Sequence, residues 1–194
     1  MSLELRWRTI GLLGVAVTAL AASGCREDET KPPDPIAAAF ADFQQRVDGY
    51  MTLRRRLVDS VGDLDPTRSQ TEIATRATAL GQAIIAARAQ AKPGDIFTPE
   101  IATILATLIR QEYQRRADTV LETREDQQDE LPDFVPQVNQ IYPTTYPLAT
   151  FPPALLPLLP PLPEEVEYRV VQKYLVLRDI EANLILDFMP NAVP

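Results

Sequence analysis

Three groups of residues in this chain have types and spacing that could do chemistry. The stretch "GDIFTPE" at 94–100 places two acids, Asp95 and Glu100, around a glycine turn and a proline that suits a helix start. Its structural reading is a helix N-terminus with Ile96 and Phe97 as a hydrophobic staple. Arg54, Arg55 and Arg56 stand in a row that could hold an anion, or could form a solvated face with Arg54 bridging to a carboxylate on another helix. Asp179, Glu181 and Asp187 cluster near the last turn, yet they lack the ordered ligand spacing of a calcium loop and are read as turn and edge-strand charges. No metal or other cofactor is expected from these groups.

The residues that are missing narrow the chemistry further. The 194 residues include no histidine and one cysteine, Cys25. Histidine-based triads and zinc sites built on His or Cys are therefore excluded. Ser60 and Ser69, the serines after Cys25, do not lie in a G-x-S-x-G context, and neither a P-loop nor a G-x-G-x-x-G is present. Carboxylate-pair hydrolysis stays open, since acids are abundant. A glycosidase, however, usually adds aromatic platforms, and the one tryptophan is Trp7.

Cys25 itself closes a leader-like stretch. Arg6 and Arg8 precede an uncharged run from Ile10 to Ala22, the layout of a secretory signal, and that run is short for a bilayer span of about 20 residues. Ala22, Ser23 and Gly24 directly before Cys25 resemble the lipobox of bacterial lipoproteins. That resemblance implies cleavage after Gly24, diacylglycerol on the Cys25 thiol, and a mature protein held in the membrane by its N-terminal acyl chains. A lone exported cysteine has no disulfide partner within the chain, which favours this reading over a chance cysteine behind an ordinary cleavage site. Arg26 stands where enteric lipoproteins retained in the inner membrane have Asp, so an outer-membrane anchor facing the periplasm is expected where two membranes exist.

Residues 1–24 hold Glu4, Arg6 and Arg8, so the rest of the chain carries 17 basic and 26 acidic side chains, against 19 and 27 in the whole. Such an acidic body lacks the basic footprint of a nucleic-acid binder, and nucleic acid is not expected as a partner. The expected partners are the membrane, through the acyl chains, and an envelope protein or glycan. The non-catalytic reading, a binding or scaffolding lipoprotein, leads; a carboxylate-dependent hydrolase of envelope glycans is the alternative.

Stepping along the chain gives the elements that must position these groups. Residues 1–24 read as the signal, 25–34 as a polar tether and 35–194 as a single domain, large enough for a core of its own. Asp34-Pro35, Asp65-Pro66 and Thr98-Pro99 each pair a capping residue with a proline at the first helical position, which predicts helices over 35–61, 67–91 and 99–124. Ser69 to Glu72 offers a capping box inside the second. Each helix carries one narrow apolar stripe, and short connections predict a three-helix antiparallel bundle within 35–130. Ten of the 18 prolines fall between Pro132 and Pro163, so 131–165 is neither helix nor sheet interior. No charge falls from Gln137 to Pro163, and the later prolines are separated by apolar residues, among them Phe151, Leu155 and Leu158, which predicts a strap packed across the helices or, failing that, a partner surface that also takes in Asp95 and Glu100. The C-terminal 166–189, rich in β-branched and aromatic residues, divides at Gln172-Lys173 and at 181–183 into a small antiparallel meander or hairpin. The expected class is α+β, mainly α.

The segments "KPGDIFTPEI", "PLATFPPALLPLLPPLPEEVEYR" and "LVLRDIEANLILDF" together resemble those of a family of uncharacterised bacterial exported proteins and lipoproteins. The resemblance covers just over a quarter of the chain from Cys25 onward and implies no activity. The final hairpin is also similar to the C-terminal module of periplasmic nickel/cobalt homeostasis proteins, from which the lack of histidine sets this chain apart.

Overall fold

The computed structural model describes residues 34–62, 68–115, 134–143, 153 and 155–193. The chain divides into two units, Met1–Pro32 and Pro33–Pro194, and every described residue belongs to the second. That unit is α+β and mainly α, as the sequence predicts. Three helices, α1 (Pro35–Val61), α2 (Gln70–Ala87) and α3 (Pro99–Arg115), precede three strands, β1 (Val166–Val171), β2 (Tyr174–Asp179) and β3 (Leu184–Met189).

The first helix starts where its sequence says. The Asp34 side chain accepts the Ile36 N–H at 3.0 Å, Pro35 occupies the first turn, and Gly62 ends the helix with φ 86°. The second helix is shorter than expected at both ends. Ser69 caps it by accepting the Glu72 N–H at 3.3 Å, so helix begins at Gln70 rather than 67; Asp65-Pro66 lies outside the described residues. At the other end the Arg88 carbonyl accepts the Ala91 N–H and the Asn139 side-chain amide, which turns the chain out of the helix before 91. Helix α3 begins at Pro99 as expected, and the part of its predicted run beyond Arg115 lies outside the described residues.

The sheet is antiparallel in the order β1-β2-β3. A two-residue hairpin at Gln172-Lys173 joins β1 to β2, and Gln172 takes φ 51°, a conformation that costs a non-glycine residue strain. Between β2 and β3 the register skips Leu186, a β-bulge that lets the sequence neighbours Leu186 and Asp187 both face the helices. Residues 139–142 run along the outer side of β3, with the Asn139 and Tyr142 N–H groups donating to the Ile185 and Asn183 carbonyls. This pairing protects the N-terminal half of an edge that would otherwise present unpaired backbone groups.

The apolar stripes of the helices are shared with the sheet rather than closed among the helices alone. Helix α1 touches both α2 and α3, and Phe43, Val47, Leu80, Ile84, Ile101, Leu105 and Ile109 form one core with Leu175, Leu177, Leu184, Leu186 and Met189. Phe43, Phe97 and Tyr168 stack at its centre, with ring centroids 5.6 to 6.4 Å apart. A smaller cluster of Phe134, Tyr142, Val171, Val176 and Ile185 covers the other face, so the sheet is buried on both sides. Burial on both faces explains why "YLVL" and "LILDF" read as nearly continuous apolar runs rather than as alternation.

The described parts of the proline-rich 131–165 form two elements. Residues 134–142 line β3, whereas 155–162 pack on the helices through Leu155, Leu158, Leu159 and Leu162 around a 3₁₀ turn at Leu156–Leu158. Leu155 is 2% exposed and therefore belongs to the core, not to a partner surface; Leu158 is half-buried, and Phe151 lies outside the described residues. Replacing Leu155 with alanine is expected to cost about 2–5 kcal/mol from lost burial and the remaining cavity. The same change at Leu156, which is 53% exposed, should stay within about 0.5 kcal/mol. Urea unfolding of the two variants checks the packing, and equal midpoints would contradict it.

Candidate functional site

The sequence-nominated polar groups fall into two buried anchors, one at each of two acids on the helix-facing side of the sheet. Asp179, at the end of β2, is fully buried and receives hydrogen bonds from the Tyr50 hydroxyl at 2.6 Å, Arg54 Nε at 2.7 Å and the Ala182 N–H at 2.8 Å. Arg54 Nη2 also reaches Glu181 at 2.7 Å, and Arg76 Nε meets the other oxygen of Glu181 at 3.2 Å. One connected network therefore fastens α1, α2 and the β2–β3 turn. Burial pushes the Arg54 guanidinium down, but Asp179 and Glu181 outweigh it and hold its pKa above the ordinary value. Burial and the neighbouring Asp179 push the Tyr50 phenol well above its ordinary range, so it acts as a donor and not as a base.

Asp187 forms the second anchor. Its Oδ1 accepts the N–H groups of Gly94 at 3.0 Å and Phe188 at 2.8 Å, while Oδ2 accepts those of Ile96 at 2.7 Å and Phe97 at 2.8 Å. The "GDIFTPE" loop is thus folded around a carboxylate 90 residues away. Gly94 has φ 90°, which only glycine adopts easily, and Asp95 closes the same turn by accepting the Lys92 N–H at 2.9 Å. Glu100 is exposed on the first turn of α3, where an acid favours the positive end of the helix dipole. Asp95 and Glu100 therefore serve the loop and the helix start.

Asp179 and Asp187 are buried, not the edge-strand charges that the sequence suggests, and Arg54 pairs with a strand and a turn rather than with another helix. Alternation from Leu184 and Leu186 would turn Asp187 away from the helices, and the bulge at Leu186 brings it back to the loop donors. Arg55 and Arg56 stay on the exposed side of α1, bonded to Thr52. Among the described residues no group of His, Cys, Asp and Glu is arranged to hold a metal ion.

Burial pushes the Asp187 carboxyl above its ordinary value, against the pull of its four N–H donors. With the folded pKa above the unfolded one near 3.8, the folded chain holds more of this proton between the two values. The contribution of Asp187 to stability therefore falls as pH rises through that window, and is largest below it. The stability gap between the parent and Asp187→Asn, followed by chemical unfolding from pH 3.5 upward, should narrow in that direction. A gap independent of pH would contradict the shift.

A cleft of about 570 Å³ opens beside these anchors, between α1 and the turn after α2. Arg46, Gly49, Tyr50, Leu53, Arg88 and Asp95 contribute to its wall. Arg88 lies over the Tyr50 ring at 5.4 Å and donates to the Leu186 carbonyl at 2.9 Å and to Asn139 Oδ1 at 3.3 Å. Among the described residues it forms no ion pair with a carboxylate, and burial holds its pKa below the ordinary value. Arg46 pairs with Asp42 at 2.7 Å and donates to the Asp95 carbonyl at 2.9 Å. Sequence reasoning missed Arg46 and Arg88. The one signal for Arg88 was its place at the C-terminal end of an apolar stripe, where a cation commonly answers the helix dipole.

No protein-family model matches this chain, and no similar curated protein or solved structure was found for it.

Proposed function

We propose that this protein is a lipid-anchored component of the bacterial cell envelope whose folded body binds or scaffolds another envelope component without catalysing a reaction. The observation that carries the reading is the stretch "ALAASGC", a short uncharged run ending in small residues and a lone cysteine behind Arg6 and Arg8. Cys25 lies outside the described residues, and no helix among the described ones is long and apolar enough to cross a membrane. Anchorage would then rest on the acyl chains, with Arg26 directing the protein to the outer membrane where there are two. The resemblance to exported proteins and lipoproteins supports the same location.

The non-catalytic part of the reading draws on the buried acids. A carboxylate-pair hydrolase needs one acid free to protonate a leaving group and another free to attack or to activate water. Asp179 and Asp187 have their oxygens occupied by donors of the protein itself. The glycan-hydrolase alternative would have to draw on acids other than these two.

Mass spectrometry of the protein from native membranes tests the anchor. The expected N-terminal peptide begins at Cys25 and carries acyl chains, and Cys25→Ala should move the protein to the soluble fraction. An unmodified Cys25 would overturn the proposal.

A further inference from the structure

We propose that the cleft between α1 and the turn after α2 binds a ligand carrying a carboxylate on a small apolar body. Three observations converge on it. The first is Arg88, a largely buried cation pinned by neutral acceptors and an aromatic ring, with no ion-pair partner among the described residues. Arginine donors held in place by such contacts are ready to receive a carboxylate without further ordering. The second is the setting. Arg46 lines the same cleft but is already paired with Asp42 at 2.7 Å, so Arg88 is the cleft cation with no carboxylate partner among the described residues, in a chain whose net charge is −8. The cleft has a volume of about 570 Å³ and is widely open to solvent.

The third observation is Gly49. It stands in the interior of α1, where glycine lowers helix stability relative to alanine. Close packing explains the other helical glycine among the described residues: a Cβ on Gly81 would sit 3.3 Å from the Ala182 carbonyl. Nothing comparable explains Gly49, because a Cβ there would meet no atom within 4 Å. With Arg46, Tyr50 and Leu53 it forms the face of α1 that walls the cleft, at helical spacings of three and four. Gly49 is exposed, and its missing side chain leaves the α1 wall of the cleft open.

The carboxylate could belong to a free organic acid or to the C-terminus of a peptide. The full-length chain in detergent micelles is titrated with butyrate, with N-acetyl-Ala-Ala and with the C-terminal amide of that peptide, and its thermal midpoint is followed. The acids are expected to raise the midpoint and the amide to leave it unchanged. A response to butyrate alone assigns a free organic acid; a response to the peptide acid, with or without one to butyrate, assigns a chain terminus. Gly49→Leu should fold with a midpoint at or above the parent's and lose the response, while Arg46→Gln, at an exposed position, should weaken binding several-fold. The proposal is overturned if neither acid has an effect, if the amide acts equally, or if the response is undiminished in Arg46→Gln or in folded Gly49→Leu.

Discussion

Asp187→Ala is expected to leave the protein largely unfolded or to lower its stability by several kcal/mol. The carboxylate is fully buried and accepts three N–H groups from the loop before α3 and a fourth from its own strand. Alanine leaves those donors without an acceptor, and the Ile96 and Phe97 contacts are buried. Each buried donor left unsatisfied costs about 1–3 kcal/mol. The two buried ones, at Ile96 and Phe97, alone come to a substantial part of the 5–15 kcal/mol that holds a typical domain together. The damage also spreads, because Ile96 and Phe97 belong to the central core and Phe97 stacks on Phe43. Asn at 187 keeps the volume but turns an NH₂ group toward two N–H donors, so it should fall between alanine and the parent. Equilibrium urea unfolding measures both, and a loss below about 1 kcal/mol for Asp187→Ala would contradict the anchor.

The helices could be read from the chain because their signals are local. Asp34-Pro35 and Thr98-Pro99 announce starts that need no tertiary context, and the stripe through Phe43, Val47 and Tyr50 marks the buried face of α1 by spacing alone. For α2 two start signals competed. Ser69 governs the described start, since its hydroxyl satisfies an orphan helix N–H. Its C-terminal end was hidden, because the group that helps stop it, the side chain of Asn139, lies 51 residues away. The destination of the stripes was hidden for the same reason. Narrow apolar faces on three helices fit a bundle or a sheet equally well, and only the pairing of 166–189 supplies the sheet that they cover.

The polar residues were legible as a list and not as an arrangement. "GDIFTPE" and the acids at 179, 181 and 187 were singled out separately, yet Asp187 is the reason the loop holds its shape. A carboxylate that accepts backbone N–H groups leaves no mark on the loop's own sequence beyond Gly94. Arg88 and Gly49 went unnoticed because an arginine at a helix end and a glycine within a helix are common residues in isolation. Their meaning comes from sharing one cleft.

Arg54→Met should cost about 3–5 kcal/mol, the usual result of leaving one member of a buried ion pair behind. The side chain of Arg54 is 7% exposed and that of Asp179 fully buried, and their 2.7 Å contact ties the middle of α1 to the end of β2. Without the guanidinium, Asp179 keeps the Tyr50 hydroxyl and the Ala182 N–H but has no cation beside it, and Glu181 keeps only Arg76. Lysine should rescue only part of the loss, because a single ammonium cannot span both carboxylates as Nε and Nη2 do. The decisive comparison is the double variant Arg54→Met with Asp179→Leu. If the pair mainly compensates its own desolvation, the double variant should cost clearly less than the sum of the two single changes, with a coupling of about 0.5–3 kcal/mol. Additive losses would mean that the two side chains stabilise the fold independently, Asp179 through Tyr50 and the turn, Arg54 through Glu181. The short contact between them would then contribute nothing of its own.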